Sequence, residues 1–93
     1  MVIGLLILDI HFPYSRSLKD KRKEISGLKD RFRKKYNVAV AELDFQDTWQ
    51  RSRLGVVTVN SQPSLVEHLL AKIQSDAIGQ VEGDILNSEI KYF

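Results

Sequence analysis

The alternation of two hydrophobic periods along the chain is the feature that most restricts its fold. Val2–Phe12 carries apolar side chains at every second position, which is the period of a strand. The next apolar residues follow the period of a helix and fall within one arc: Leu18, Ile25, Leu28, Phe32 and Tyr36. The second half of the chain repeats this change of period, so the sequence predicts two units of strand and helix.

The first helix and the two middle strands have recognisable limits. Ser17 and Asp20 fit a capping box that starts the helix at about Leu18, and Asn37 is its expected end. The middle strands are predicted at 38–45 and 53–60, with residues 44–51 as their connection. Gly55 interrupts the second of them, which predicts a bulge or a close approach of backbone.

The remaining residues supply a second helix and a fourth strand. Ser61 or Ser64 is the expected cap, Pro63 is tolerated in the first turn, and Gly79 is the expected end. Alternation then returns within 80–93, with Leu86, Ser88, Ile90 and Tyr92 on one face of a predicted edge strand. The order βαββαβ predicts an α+β fold, a ferredoxin-like sandwich with a four-stranded antiparallel sheet and both helices on one face. With 93 residues, it is a single domain over 1–93.

The composition of the chain excludes several classes of protein. The chain has no Cys, which excludes a disulfide framework, a thiolate zinc site and a cysteine nucleophile. Its apolar opening is too short to span a bilayer and lacks a basic leader. We therefore expect a soluble cytoplasmic domain that does not bind membranes and needs no cofactor.

The small net charge of +2 conceals a strong asymmetry. Residues 16–35 contain ten basic and three acidic side chains, a net charge of +7, whereas the rest of the chain carries four basic and nine acidic ones, a net charge of −5. We call residues 16–35 the basic segment. A concentrated positive surface attracts polyanions, although a merely solvated helix face explains the same pattern.

The basic segment provides the candidate nucleic-acid contacts. Arg22, Lys29 and Arg33 follow helical spacing along one flank of the apolar arc, and Lys21 lies nearer that arc, where we expect its charged end to reach solvent. The full set of candidate contacts is Arg16, Lys19, Arg22, Lys23, Lys29 and Arg33.

The topology places the start of the first helix beside the connection between the middle strands. Free backbone N–H groups there, with Ser15, Ser17 and Arg16, predict a phosphate cradle, unless Ser17 merely caps the helix. In the connection, Trp49, Gln50 and Arg51 are candidate partner contacts. Trp49 is explained equally well as a cap over the end of the core.

Metal and catalytic sites have little support in the sequence. His11 could ligate a metal with Asp44 or Asp47, but no third ligand is defined. The sequence does not favour paired catalytic carboxylates over ordinary surface charge as the explanation of Asp9, Glu42 and Asp44. We therefore predict no catalytic residue and no metal site.

The sheet face that the helices leave uncovered predicts a subunit interface. An RNA-recognition motif would need aromatic residues there, but strand one offers Ile3, Leu5 and Ile7, and strand three has no aromatic residue. An exposed aliphatic surface more often marks a subunit contact. We expect a homodimer through this open sheet face.

Three stretches closely resemble the YlxP-like family of small bacterial proteins of unknown function: LDIHFP at 8–13, SRSLKDKR at 15–22 and VAELDFQDTWQRSRLGVV at 40–57. The resemblance covers nearly the whole chain and implies a ferredoxin-like fold. Genes of this family often lie beside those for translation initiation and ribosome maturation factors, so it also implies association with RNA or the ribosome. It carries no established activity and no catalytic residues.

Three hypotheses of function remain open. The first is a non-enzymatic module that binds RNA or a ribosomal subunit through the basic helix. The second is a dimeric protein-interaction or regulatory module anchored by Trp49. The third is a small anion-handling enzyme, because acylphosphatases share this topology and bind phosphate after strand one; this chain lacks their glycine-rich run, which leaves Arg16 alone.

Overall fold

The elements occur in the order βαββαβ, as predicted. The computed structural model describes residues 1–93. Its elements are β1 (Val2–His11), α1 (Leu18–Lys35), β2 (Ala39–Asp44), β3 (Arg51–Asn60), α2 (Pro63–Gln80) and β4 (Asp84–Tyr92). The strands form one sheet in the order β2-β3-β1-β4 with every neighbouring pair antiparallel, which confirms the α+β ferredoxin-like fold. Neither helix combines the length and the apolar character that crossing a membrane requires.

The core lies between one sheet face and the two helices. Alternate residues of β1 and β3 point into it, and the buried side chains of both helices complete a single cluster. Its sheet residues include Leu6, Leu8, Ile10, Leu54 and Val56, and its helix residues include Ile25, Leu28, Phe32, Val66, Leu70, Ile73 and Ala77. Full burial of one such side chain contributes about 1.5–3 kcal/mol, so this cluster is the main stabilising feature of the fold.

The predicted helix limits are correct for α1 at its start and less so for α2. Ser17 accepts a hydrogen bond from the Asp20 backbone N–H at 3.0 Å, which confirms the cap. Neither Ser61 nor Ser64 caps α2, and that prediction was wrong: the N-cap is Gln62, without a side-chain hydrogen bond. Pro63 can begin the helix because its φ is fixed in the helical range and it has no N–H to satisfy.

Two strands differ from their predicted phase or length. β3 begins at Arg51, because Arg51 pairs with His11 of β1 and extends the ladder. In β4 the register shifts opposite Asp9 and Ile10, so Leu86 becomes an extra residue. Ile85 instead packs against the core, and Leu86 is exposed. A bulge changes the face of every residue beyond it, which is why simple alternation assigned Leu86 to the wrong side.

The prediction of a bulge or a close approach of backbone at Gly55 was wrong, because β3 keeps its register with β1 there and the atoms nearest to an added Cβ belong to the Leu43 side chain. The neighbouring bulge lies in β2, where the register shifts between Glu42 and Asp44. This shift leaves Leu43 over Gly55, where an added Cβ would come within 2.8 Å of the Leu43 Cδ1. The missing side chain of Gly55 therefore accommodates the bulge of the next strand.

Candidate nucleic-acid interface

The basic segment contains two groups of cations, those with partners inside the protein and those without. Lys21, Arg31, Arg33 and Lys35 each donate a hydrogen bond to a carbonyl or carboxylate oxygen. The side chains without such a partner are Arg16, Lys19, Arg22, Lys23, Lys29 and Lys34. Five of these six belong to the predicted nucleic-acid contacts, and all of the six are exposed except Lys29, which is half-buried.

Arg33 is the predicted contact that the fold already uses. Its Nη2 donates to the Val40 carbonyl oxygen at 3.1 Å, on the outer edge of β2. The flank of α1 that carries Arg22, Lys29 and Arg33 therefore runs beside this edge strand. Arg33 is exposed, but its guanidinium group already donates to Val40, so it is less available to a ligand than Arg22 and Lys29 are.

The start of α1 has fewer free N–H donors for an anion than the sequence predicted. The Arg16 backbone N–H donates to Asp20 Oδ2 at 3.1 Å, so the capping box occupies two of the donors expected to bind phosphate. The Asp20 carboxylate also adds negative charge beside the helix terminus. The phosphate cradle and the anion-handling enzyme stay predictions, and they gain no support from the backbone here.

Lys21 is fully buried, so the prediction that its charged end reaches solvent was wrong. Its Nζ donates to the carbonyl oxygens of Phe45 at 2.5 Å and Arg51 at 3.2 Å, and lies 3.2 Å from the Glu42 carboxylate. Glu42 also accepts a hydrogen bond from the Ser52 hydroxyl at 2.6 Å. A buried charge is tolerated only when it is paired and hydrogen-bonded, and these groups supply both conditions.

The Lys21 contacts fix residues 45–50, which we call the 45–50 loop. The Phe12 N–H donates to the Gln50 carbonyl oxygen at 2.9 Å, and Gln50 Nε2 donates to the Ser15 carbonyl oxygen at 3.1 Å. The end of β1, the start of α1 and this loop thus meet at one end of the sheet, where β1 ends and β3 begins, as the topology predicted. Gln50, a candidate partner contact, is a structural bridge between them.

Trp49 is displayed by the 45–50 loop and does not cap the core. Half of its surface is exposed, at 50%, and it is absent from the residues that pack against the core. Phe12 and Lys21, which lie at the same end of the sheet, are fully buried. The interpretation of Trp49 as a core cap was wrong, and its role as a partner contact stays a prediction.

The aromatic ring at the start of this loop stacks with two guanidinium groups of β3, an arrangement that was not predicted. Phe45 has a positive φ of 66°, and the guanidinium carbons of Arg51 and Arg53 lie 4.7 and 5.3 Å from its ring centroid. Arg53 Nε donates to Asp9 at 2.7 Å, and this hydrogen bond and charge raise the pKa of Arg53. Arg51 has no acidic partner, and its buried Nε lacks a hydrogen bond.

The side chains considered for a metal site are not brought together. His11 Nδ1 lies 3.3 Å from Asp84 Oδ2 at the start of β4, whereas Asp44 contacts Arg53. No group of three His, Asp or Glu side chains is arranged to hold a metal ion.

The open sheet face is divided into an apolar half and a charged half. Leu43 and Val59 are the most exposed side chains of the apolar half, at 47% and 55%. The charged half contains the Asp9 and Arg53 pair. The homodimer expected through this face stays a prediction.

Comparison with known proteins places the chain in a family. The family model described as "Protein of unknown function (DUF503)" matches residues 3–90. A protein of Bacillus subtilis (strain 168) called "Uncharacterized protein YlxP" is 33% identical over 75 residues, which cover 78% of this chain and 82% of that protein. These two matches show that the chain belongs to this YlxP-like family of proteins of unknown function.

Proposed function

We propose that this protein is a non-enzymatic module that associates with RNA or a ribosomal subunit through the free cations of the basic segment, which is mainly the helix α1. The observation that carries the proposal is that six cations of the basic segment have no partner within the protein: Arg16, Lys19, Arg22, Lys23, Lys29 and Lys34. Four others of the same segment are bonded internally. The charge available to a ligand is therefore concentrated on α1 and on Arg16 just before it.

Cations spread along a helix suit the phosphate backbone better than base edges. Their side chains are long and solvated, and each can neutralise a phosphate and release a counterion. The sheet face has no aromatic row on which bases could stack. We therefore expect affinity that depends on salt and little on RNA sequence.

The test is a titration of the protein with ribosomal RNA and with small ribosomal subunits at two salt concentrations. Each phosphate contact with a single strand contributes a slope of about −0.7 to log K against log salt, so six contacts predict about −4. Anisotropy measures the RNA and cosedimentation measures the subunits. Absence of binding at low salt, or affinity that is independent of salt, contradicts the proposal.

Matched charge reversals locate the contact. Arg22→Glu and Lys29→Glu should each weaken binding for every RNA sequence and make the salt slope less negative by about 0.7, the contribution of one contact. Lys72→Glu on α2 makes the same change of charge outside the basic segment and should leave the slope unchanged. Equal effects of all three variants would show that net charge alone, rather than this helix, controls binding.

The exposure of Trp49 favours one second candidate, a protein-interaction module. An exposed indole on a fixed loop is suited to be an anchor for a partner protein. Including Trp49→Ala in the same cosedimentation separates the two functions. Binding to whole subunits that is lost while binding to naked RNA persists would assign the main contact to a ribosomal protein.

A further inference from the structure

The two edges of the sheet are protected to different degrees. The β2 edge is six residues long, is interrupted by the bulge at Leu43, and has its Val40 carbonyl covered by Arg33. The β4 edge is nine residues long and contains no proline, and beyond its own bulge at Leu86 it pairs regularly with β1 from Asn87 to Tyr92, without a side chain covering its backbone. Long unprotected edges are templates for pairing with another strand, and proteins usually cover or interrupt them.

The hydrogen-bond pattern identifies which backbone groups of β4 face outward. Ile3 and Phe93 exchange both of their backbone hydrogen bonds, at 3.1 and 2.8 Å. Antiparallel pairs alternate between bonded and non-bonded, so the odd-numbered residues of β4 bond to β1. The N–H and C=O groups of Ser88, Ile90 and Tyr92 therefore point away from the sheet, and no backbone hydrogen bond outside the strand ladders involves them.

Two opposite charges flank the centre of this edge. Glu89 and Lys91 lie on the same sheet face, and each is about half exposed, at 53% and 50%. Their charged atoms are 3.8 Å apart within one chain, a separation at which a solvated pair is weak. Each of the two side chains can therefore still form an ion pair with an oppositely charged side chain of another strand.

We infer that β4 pairs in antiparallel fashion with β4 of a second copy, about a two-fold axis at Ile90. In this register Ile90 lies opposite the partner's Ile90, and Ser88 lies opposite the partner's Tyr92, so the outward backbone groups bond to one another. Glu89 then lies opposite the partner's Lys91, and Lys91 opposite the partner's Glu89. The result is a continuous eight-stranded sheet.

Charge complementarity selects this register over its neighbours. An axis at Glu89 would place two glutamates opposite each other, and an axis at Lys91 would oppose two lysines. An axis at Ser88 would place Glu89 opposite the partner's Asn87 and leave Lys91 without a carboxylate. Only the axis at Ile90 forms both cross-strand ion pairs while it also aligns the outward backbone groups.

Charge reversal in both directions tests the interface by sedimentation and native mass spectrometry of the full chain. Glu89→Lys alone and Lys91→Glu alone each oppose like charges twice, and we expect the dimer Kd to rise about tenfold. A mixture of the two variants should recover a heterodimer with wild-type affinity, because every opposed pair is again attractive. Glu67→Lys on the exposed surface of α2 is the matched control and should dimerise normally.

Hydrogen exchange supplies a second measurement that does not depend on these charges. The amides of Ser88, Ile90 and Tyr92 should become protected as protein concentration rises through the dimer Kd. A protein that stays monomeric at every concentration overturns the inference. So does a dimer that survives both single reversals; if Leu43→Asp then dissociates it, the open sheet face is the interface instead.

Discussion

Lys21 can lie inside the protein because the surrounding backbone accepts hydrogen bonds from its Nζ. The 45–50 loop directs carbonyl oxygens inward, and Glu42 supplies the opposite charge from β2. The side chain thus joins α1, β2 and the loop at one point. Its position near the apolar arc of the helix was visible in the sequence, but its acceptors come from residues more than twenty positions away.

Lys21→Met should destabilise the protein by about 3 kcal/mol, because the Glu42 carboxylate, only 18% exposed, is left without its cation. Lys21→Met combined with Glu42→Gln should recover part of the loss, since the amide still accepts from Ser52 and carries no charge. Urea unfolding of the two single variants and the double variant measures the coupling between them. Additive effects would mean that Lys21 stabilises through its hydrogen bonds to the Phe45 and Arg51 carbonyl oxygens rather than through Glu42.

At the scale of elements, α2 packs against β1 at a glycine. A Cβ at Gly4 would lie 2.5 Å from Val66 Cγ1 and 2.6 Å from Leu70 Cδ1, both of which are buried side chains of α2. The helix can therefore approach the sheet only because this side chain is missing. Val66 and Leu70 cannot move outward without opening the core around them.

Gly4→Ala should consequently cost about 1–3 kcal/mol, the usual penalty for overpacking a core. Gly79→Ala is the matched control, because it lies in α2 with nothing within 4 Å of the added Cβ. That variant should instead stabilise the protein by up to about 1 kcal/mol through helix propensity. Thermal and urea unfolding of both variants gives the signs, and a neutral Gly4→Ala would show that α2 tolerates displacement.

The sequence was sufficient for the elements and insufficient for their details. Periodicity and the spacing of a capping box are local properties, so the six elements and the α1 cap at Ser17 followed from them directly. The bulges at Leu43 and Leu86 depend on the partner strand, and no local pattern marks them. At the candidate site, the exposed cations were predictable, whereas the commitment of Arg33 to Val40 and the burial of Lys21 required the tertiary structure.

At the scale of the whole molecule, one polar contact between the helices links stability to pH. The Tyr36 hydroxyl donates to Asp76 Oδ2 at 2.5 Å, and Lys35 Nζ lies 3.4 Å from the same oxygen. The hydrogen bond from Tyr36 is the main cause that lowers the pKa of Asp76, while partial burial opposes it. Burial, followed by the hydrogen bond to Asp76, raises the pKa of Tyr36 and keeps its proton in place.

Because the pKa of Asp76 is lower in the folded than in the unfolded protein, its contribution to stability is complete above about pH 4. That contribution disappears as the pH falls through the folded pKa. Tyr36→Phe should therefore destabilise the protein near neutral pH, and the difference from wild type should shrink in acid. Urea unfolding at a series of pH values measures this difference; Tyr14→Phe, at an exposed tyrosine, is the control. A constant difference would contradict the linkage.

Because Lys21 is buried, the reactivity of its amine can also report when the 45–50 loop separates from α1. The chain has eight lysines, and the other seven are exposed or half-buried. An amine-reactive label should modify those seven rapidly and reach Lys21 only during moments when the 45–50 loop separates from α1. The labelling rate of this one amine then measures how often the corner that displays Trp49 opens, and a ligand seated on that corner would slow the reaction.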